Sequence, residues 1–199
     1  CGTGPTVPHE IVRLMLFLKV QSLAYGYSGV QLQTVERLMA LFNVNALPTI
    51  YEAGSLGASG DLAPLAHLTL PLIDLGEIYF EGRVMSGKHF NQKQGWLPIH
   101  LQSKEGLALL NGTQFMSAYG SWCILQSHRI MHLANLIAAL SLDGFDGRIE
   151  PFLPEVHAIR PHAGQLKTAH AILHLLKGSE IINQHKKHVQ DPYSFRCIP

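Results

Sequence analysis

The sequence predicts a mainly α-helical protein with one minor β-hairpin. Apolar residues recur at helical spacing over several long stretches, whereas only one short stretch alternates in the manner of paired strands. Hydrophobic residues make up 47% of the 199 residues and charged residues only 15%. A chain this apolar is expected to bury much of its surface between helices or in a large subunit interface. We interpret residues 1–199 as a single domain.

The first half of the chain is predicted to contain a loop and three helices. Residues 1–8 hold two glycines and two prolines, which favour a loop. Helices are predicted over residues 9–24 and about 30–43, because apolar residues recur in both at helical spacing. A third helix is expected over about residues 62–75, with Asp61 in the N-cap position.

The second half is predicted to be dominated by one long helix. Residues 77–85 alternate and turn at a Glu-Gly pair, which predicts the hairpin, and a loop to about residue 98 follows. Helices are expected over about residues 104–142 and 165–177, the first with three internal glycines and the second closed by Gly178. Prolines between these two helices favour a loop or short helix, and the polar remainder is expected to be irregular.

The charge balance and the cysteines narrow the classes of function. A net charge of +1 gives no electrostatic reason to bind nucleic acid or an anionic membrane. The three cysteines are odd in number and far apart, which argues against a disulfide framework and favours a reducing, cytoplasmic compartment. No run of about 18 uncharged apolar residues predicts a transmembrane span, and no signal peptide is visible.

The twelve histidines raise the question of a metal site. His128 and His132 form one i,i+4 pair and His170 and His174 another, so each pair shares a helix face. Zinc needs at least a third ligand, and no His-Glu-x-x-His motif is present. We therefore expect core or surface histidines and no metal.

The most distinctive stretch is the run GSLGASGDLAPLA at residues 54–66. Three glycines precede an apolar segment that is predicted to be a helix. Such a run can be an ordinary turn, or it can cradle a phosphate at the helix N-terminus. It lacks both the Lys-Ser/Thr pair of a nucleotide-binding P-loop and a Gly-x-Gly-x-x-Gly motif.

The triplet Ala58-Ser59-Gly60 within this run offers a third possibility. If the loop is forced tightly enough, the amide nitrogen of Gly60 can reach the carbonyl carbon of Ala58, because a residue without Cβ leaves room for the approach. Loss of water would close an imidazolone ring, and Ser59 would lose its hydroxyl as a second water to leave an exocyclic methylidene. The product is an electrophile that no ordinary side chain supplies.

The run GASGDLAPLAH at residues 57–67 resembles the signature of the aromatic amino acid ammonia-lyases. This family comprises histidine, phenylalanine and tyrosine ammonia-lyases and the related aminomutases. The resemblance implies a helical, fumarase/aspartase-like fold, of which this chain would be the N-terminal, catalytic portion. It also implies that Ala58, Ser59 and Gly60 form the family's cofactor, 4-methylideneimidazol-5-one, and that no metal takes part.

A second motif, LALLNGTQ at residues 107–114, resembles the family segment whose Asn contacts the ring and the substrate carboxylate. The resemblance makes Asn111 a substrate-binding candidate. Taken alone, a single amide in an apolar helical run is more commonly a core Asn that bonds a neighbouring helix.

A third motif, VQDPYSFRC at residues 189–197, resembles the family's Gln-Asp-Pro-Tyr-Ser-Leu-Arg segment, with Phe195 in place of the commoner Leu. A guanidinium group matches a carboxylate bidentately, which makes Arg196 a candidate for binding the substrate carboxylate, with Gln190 beside it. Tyr193 would be a catalytic residue whose hydroxyl bonds the ring or the substrate. Taken alone, a loop arginine is commonly a solvated charge. The Asp-Pro-Tyr version with a following Cys resembles the histidine enzymes more than the plant phenylalanine enzymes.

Together the three motifs imply non-oxidative elimination of ammonia from an aromatic L-amino acid, with L-histidine to urocanate favoured. A phenylalanine or tyrosine ammonia-lyase or an aminomutase is the alternative within the family, and a homotetramer is implied for the complete enzyme. Two rival classes remain open. One is a phosphate-binding module, and the other is a non-catalytic helical interaction fragment in which residues 58–60 stay plain peptide.

The resemblance covers less than half of a complete family member, and the family's catalytic Tyr base lies upstream of the residues matched here. We therefore expect the 199 residues alone to be inactive or a poor catalyst. Incubation of this chain with L-histidine should give no urocanate absorbance while a complete family member, assayed in parallel, does. Detectable urocanate from the chain alone would contradict this expectation.

Overall fold

The computed structural model describes residues 2–199 and confirms the mainly α-helical architecture. The chain divides into two compact units, one that ends at Cys123 and one that spans Ile124–Pro199. The boundary falls within the helix Gln114–Gly144, which is 31 residues long. Among residues 2–199, no helix is both long and apolar enough to cross a membrane. The interpretation of residues 1–199 as one domain stays a prediction.

Helices are the main secondary structure of both units. The first helix, His9–Ala24, has the bounds that the sequence predicts. The third helix is shorter than expected, because a 3₁₀ turn, Leu70–Ile73, replaces its last residues. A second 3₁₀ turn, Glu150–Phe152, lies in the proline-rich segment. The α-helices are α1 (His9–Ala24), α2 (Leu32–Asn43), α3 (Leu62–Thr69), α4 (Gly87–Gln94), α5 (Glu105–Leu110), α6 (Gln114–Gly144), α7 (Pro154–Ala158), α8 (Ala163–Leu175) and α9 (Tyr193–Arg196).

Two small antiparallel sheets lie in the first unit. β1 (Thr3–Thr6) pairs with β3 (Tyr51–Ala53), and a second sheet has the order β2 (Leu47–Pro48), β4 (Glu77–Phe80), β5 (Arg83–Ser86). The hairpin of β4 and β5 is the predicted one. The prediction of a loop over residues 1–8 is wrong for β1, because its backbone pairs with a strand some fifty residues away, which local composition does not reveal.

Two more segments are helical where loop or irregular chain is expected from the sequence. Residues 87–94 form α4, because the Ser86 hydroxyl accepts a hydrogen bond from the His89 N–H at 3.2 Å and Gly95 ends the helix in a left-handed conformation, φ +69°. Close to the C-terminus, α9 forms a single turn within the predicted irregular segment.

Each unit has its own apolar core. In the first unit α1, α2 and α3 surround fully buried side chains that include Met15, Leu38 and Leu65. In the second unit α8 and the end of α6 pack around Phe152 and Ile172. Both cores follow from the helical spacing of apolar residues, since burying those faces is the main favourable term in folding.

A buried carboxylate fixes the start of α5. Glu105 is fully buried and accepts four hydrogen bonds of 2.6–2.9 Å from the backbone and side-chain amides of Gln31, the Thr34 hydroxyl and the Gln102 N–H. Burial acts to raise the pKa of Glu105, but these hydrogen bonds outweigh it and hold the pKa below its usual value. The charged carboxylate therefore ties α5 to the segment that leads into α2.

We expect Glu105→Gln to destabilise the chain by about 3 kcal/mol at neutral pH, because an amide leaves donors without an acceptor. A lowered folded-state pKa means that the stabilisation is complete above the usual value of 4.5 and is lost as the pH falls through the lower folded-state pKa. Chemical denaturation of both proteins should therefore show the stability gap narrowing below about pH 4.5. Glu36→Gln, at an exposed position on α2, is the matched control and should show neither effect. A gap that stays constant with pH would contradict this account.

Candidate active site

The glycine-rich loop closes as a tight turn. Gly57 and Gly60 have φ angles of +71° and +91°, which residues with a Cβ adopt only at a cost. Gly57 and Ala58 both form bridge pairings with Gly60, so the backbone doubles back within four residues. Ala58 and Ser59 are exposed at the tip. The turn therefore presents Ser59 on a short, strongly bent segment.

The base of this turn packs against the break between α5 and α6. A Cβ on Gly60 would lie 2.5 Å from the carbonyl oxygen of Gly112, which is closer than real Cβ contacts. The same oxygen accepts a hydrogen bond from the Asp61 N–H at 2.8 Å. The absence of a side chain at Gly60 thus allows two backbone segments to meet directly.

Asp61 holds the loop to the next helix rather than capping its own. It stands in the N-cap position of α3, as predicted, but its side chain makes no cap bond there. Its fully buried carboxylate instead accepts hydrogen bonds from the Ser55 hydroxyl at 2.8 Å and from the Met116 N–H at 3.0 Å. Met116 lies in the first turn of α6, where unpaired N–H groups and the helix dipole favour an anion.

The helical run predicted over about residues 104–142, where internal glycines permit a bend, is interrupted completely at residues 111–113. The chain leaves the helical conformation at Asn111, and Gly112 has a φ of +146°. The apolar pattern does not report this break, because it depends on Gly112 and on hydrogen bonds from the distant loop. The break directs the Asn111 side chain to Ser59, whose hydroxyl donates to the Asn111 Oδ1 at 3.4 Å.

Sequence reasoning missed one residue beneath this break. Lys19 on α1 is only 1% exposed, and its Nζ donates to the carbonyl oxygens of Ala108 at 2.7 Å and Asn111 at 3.0 Å. Burial lowers the pKa of Lys19 to about 8. The available signal was a single lysine within the otherwise apolar run LMLFLKV of α1.

The third motif lies in the second unit. Gln190 and Arg196 line a cavity of about 530 Å³. The Arg196 guanidinium carbon lies 4.2 Å from the centroid of the largely exposed Tyr193 ring, and the buried Arg196 Nε has no hydrogen-bond partner among residues 2–199. This nitrogen is therefore a buried donor that is left unsatisfied within the described part of the chain.

The buried Asp191 anchors this motif. Its carboxylate accepts a hydrogen bond from the Arg148 N–H at 2.7 Å and pairs with the His188 Nε2 at 2.5 Å. Because Asp191 lies directly after Gln190, these bonds fix the backbone from which the predicted substrate-binding residues extend. Neither His188 nor Arg148 is singled out by the sequence pattern.

The structure thus brings the predicted residues together in two groups. One consists of Ala58, Ser59, Gly60 and Asn111 in the first unit, and the other of Gln190, Tyr193 and Arg196 in the second. The catalytic and substrate-binding roles of all seven stay predictions. Among residues 2–199 no group of three or more His, Cys, Asp or Glu side chains is arranged to hold a metal ion.

A family model described as aromatic amino acid lyase matches residues 1–199, so the chain belongs to that family. The histidine ammonia-lyase of Caldanaerobacter subterraneus subsp. tengcongensis is 45% identical over 200 residues, and that of Clostridium tetani is 43% identical. Each alignment covers all of this chain and 39% of the relative, so the chain spans about two fifths of their length.

Solved structures bear out the fold. Histidine ammonia-lyase from Trypanosoma cruzi matches with a TM-score of 0.86 and 34% identity over 99% of this chain and 36% of that chain. Tyrosine aminomutase from Streptomyces globisporus matches at 0.90 and 32% over 99% and 41%. Ergothionase from Treponema denticola matches at 0.89 and 30% over 98% and 39%. The predicted ammonia-lyase fold is therefore confirmed.

Substitution of Gly57 and of Gly60 by alanine tests the contact between the loop and the helix break. We expect Gly57→Ala to cost about 1 kcal/mol, because its φ is positive but a Cβ there would meet open space. Gly60→Ala should cost about 3 kcal/mol, since the same backbone strain is joined by a collision with the Gly112 carbonyl. Free energies of unfolding from chemical denaturation measure both, and equal losses would contradict the proposed close approach.

Proposed function

We propose that the protein containing this chain eliminates ammonia from an aromatic L-amino acid, with L-histidine as substrate and urocanate as product. Family membership and the two histidine ammonia-lyases that are 43–45% identical support this choice. The observation that carries it is the exposed Ser59, held on a tight turn against Asn111 and Gly112. A cytoplasmic homotetramer is part of the same proposal.

The loop suits formation of 4-methylideneimidazol-5-one from Ala58, Ser59 and Gly60. A bond would form between the Gly60 nitrogen and the Ala58 carbonyl carbon, whose oxygen leaves as water with the N–H hydrogens of Ser59 and Gly60. Ser59 would then lose its hydroxyl and its α-hydrogen as a second water. The bridge pairings of residues 57 and 58 with Gly60 and the lack of a Cβ at Gly60 favour this approach. When formed, the group supplies an electrophile that activates the substrate for loss of its amino group and a β-proton.

The other predicted residues would bind and orient the substrate. The Arg196 guanidinium, which lines the cavity of the second unit, is suited to a carboxylate. Gln190 and the Tyr193 hydroxyl would bond the substrate beside it, and the Asn111 amide would bond the reacting region near Ser59. Such groups act by positioning and by electrostatic stabilisation rather than by forming covalent bonds.

The alternative within the family is a lyase for another aromatic amino acid, or an aminomutase. The similar solved structures include a tyrosine aminomutase and an ergothionase, so the aromatic group and the fate of the amino group are what the assay must separate. The phosphate-binding module and the non-catalytic fragment are the alternatives outside it. The first predicts tight phosphate binding with a plain Ala58-Ser59-Gly60 peptide, and the second predicts neither binding nor cyclisation.

The deciding experiment compares the parent, Ser59→Ala and the matched control Ser103→Ala, an exposed serine, in a protein of full family length. The parent and the control should have an intact mass lower than the plain sequence by two waters, mapped to residues 58–60. Both should convert L-histidine to urocanate. Ser59→Ala should have the plain mass and lose roughly a thousandfold or more of the activity.

Product analysis with L-histidine, L-phenylalanine and L-tyrosine then separates the alternatives. A β-amino acid product would indicate an aminomutase, and cinnamate or coumarate would indicate another aromatic substrate. A parent with the plain mass and no product from any of the three amino acids would overturn the proposal.

A further inference from the structure

Lys19 is a buried charged residue that has no role in the function proposed above. It lies on α1 among the residues of the first core, with 1% of its surface exposed. Lysine is almost never fully buried unless its charge is paired, because desolvating an ammonium group is costly. An apolar residue of the same length would fill this space without that cost, so the ammonium group itself has a role.

The partners of Lys19 define that role. Its Nζ donates to the carbonyl oxygens of Ala108 and Asn111, at 2.7 Å and 3.0 Å. These belong to the last residues of α5 and to its C-cap, where carbonyl groups have no partner within the helix and a positive charge is favourable. The ammonium group therefore binds the chain at the point where α5 stops.

The end of α5 also carries Asn111, the residue that contacts Ser59 in the glycine-rich loop. Asn111 leaves the helix with extended backbone angles, φ −79° and ψ +136°, and its side-chain oxygen accepts from Ser59. The next residue, Gly112, accepts from the Asp61 N–H. Lys19 thus binds the backbone at the end of α5, and the loop contacts the next residue, Gly112.

We propose that Lys19 is a positioning residue for the ammonia-lyase site, because its ammonium group fixes the backbone of Asn111 and thereby the direction of the Asn111 amide toward Ser59. This inference rests on the proposed function and deepens it. The two hydrogen bonds of Lys19 go to the backbone at the end of α5, so its proposed effect on the site is transmitted through the position of Asn111.

A role in stability and a role in positioning Asn111 predict different effects when Lys19 is substituted. Replacing a buried charge with an apolar side chain of similar volume is often neutral for stability, whereas a misplaced catalytic group costs rate. We therefore compare Lys19→Met with Ile11→Ala, which removes a buried apolar side chain from the same helix and no hydrogen bond. Lys19→Gln, which keeps a donor without the charge, provides a second variant if Lys19→Met does not fold.

In the protein of full family length, we expect kcat of Lys19→Met to fall roughly 100-fold while KM changes much less. Ile11→Ala should keep its kcat even where its melting temperature falls further than that of Lys19→Met. Lys19→Gln should lie between the parent and Lys19→Met. A Lys19→Met enzyme whose kcat falls no more than that of Ile11→Ala would overturn the inference.

Hydrogen exchange provides a readout that does not need activity. Peptides that cover residues 107–113 should exchange faster in Lys19→Met than in the parent, whereas Ile11→Ala should leave them unchanged relative to peptides from α3. Unchanged exchange at residues 107–113 would also overturn the role of Lys19. If the parent itself has the plain mass and no activity, the proposed function fails, and the exchange comparison still decides whether Lys19 holds the helix break.

Discussion

The direct backbone contact between Gly60 and Gly112 is the constraint on which the candidate site depends. Because Gly60 has no Cβ, the Asp61 N–H can reach the Gly112 carbonyl, and the Asp61 carboxylate then lies at the first turn of α6. One contact therefore sets the direction of the glycine-rich loop and the point where the helical run is interrupted. The buried carboxylate stabilises the arrangement, since it satisfies an otherwise unpaired N–H at a positive helix end.

The short helix α5 is held between two buried charges. Glu105 ties its start to the segment before α2, and Lys19 ties its end to α1. A helix of six residues has little stability of its own, so its position depends on such tertiary contacts. Apolar packing alone tolerates small sliding of a helix, whereas hydrogen bonds to buried charged groups fix particular atoms. The location of Asn111, which ends this helix, is thus determined by polar contacts inside an apolar core.

The sequence predicted the parts of the fold that depend on local pattern. The helix over residues 9–24 and the hairpin of β4 and β5 follow from apolar spacing and turn residues, and the structure has both. It did not predict the strand β1 or the break at Gly112, because each depends on a partner distant along the chain. The loop was recognisable for the opposite reason. Its tight turn requires small residues in a fixed order, and the proposed cyclisation requires the same residues, so a short motif is enough to identify it.

Ser59 is exposed at the tip of its loop, whereas the residues that hold this loop in place are buried. A group that must meet a substrate has to be exposed, and exposed glycine-rich chain is entropically costly to hold in one conformation. Here the tip makes one long side-chain hydrogen bond, from Ser59 to Asn111, while Asp61, Lys19 and Glu105 make their contacts in the interior. Interior hydrogen bonds are stronger than those at the surface, because water does not compete and the effective dielectric is lower. The tip can therefore stay free of covering side chains and still be held in place. Substitutions at Asp61, Lys19 or Glu105 should alter its geometry while residues 58–60 themselves stay unchanged.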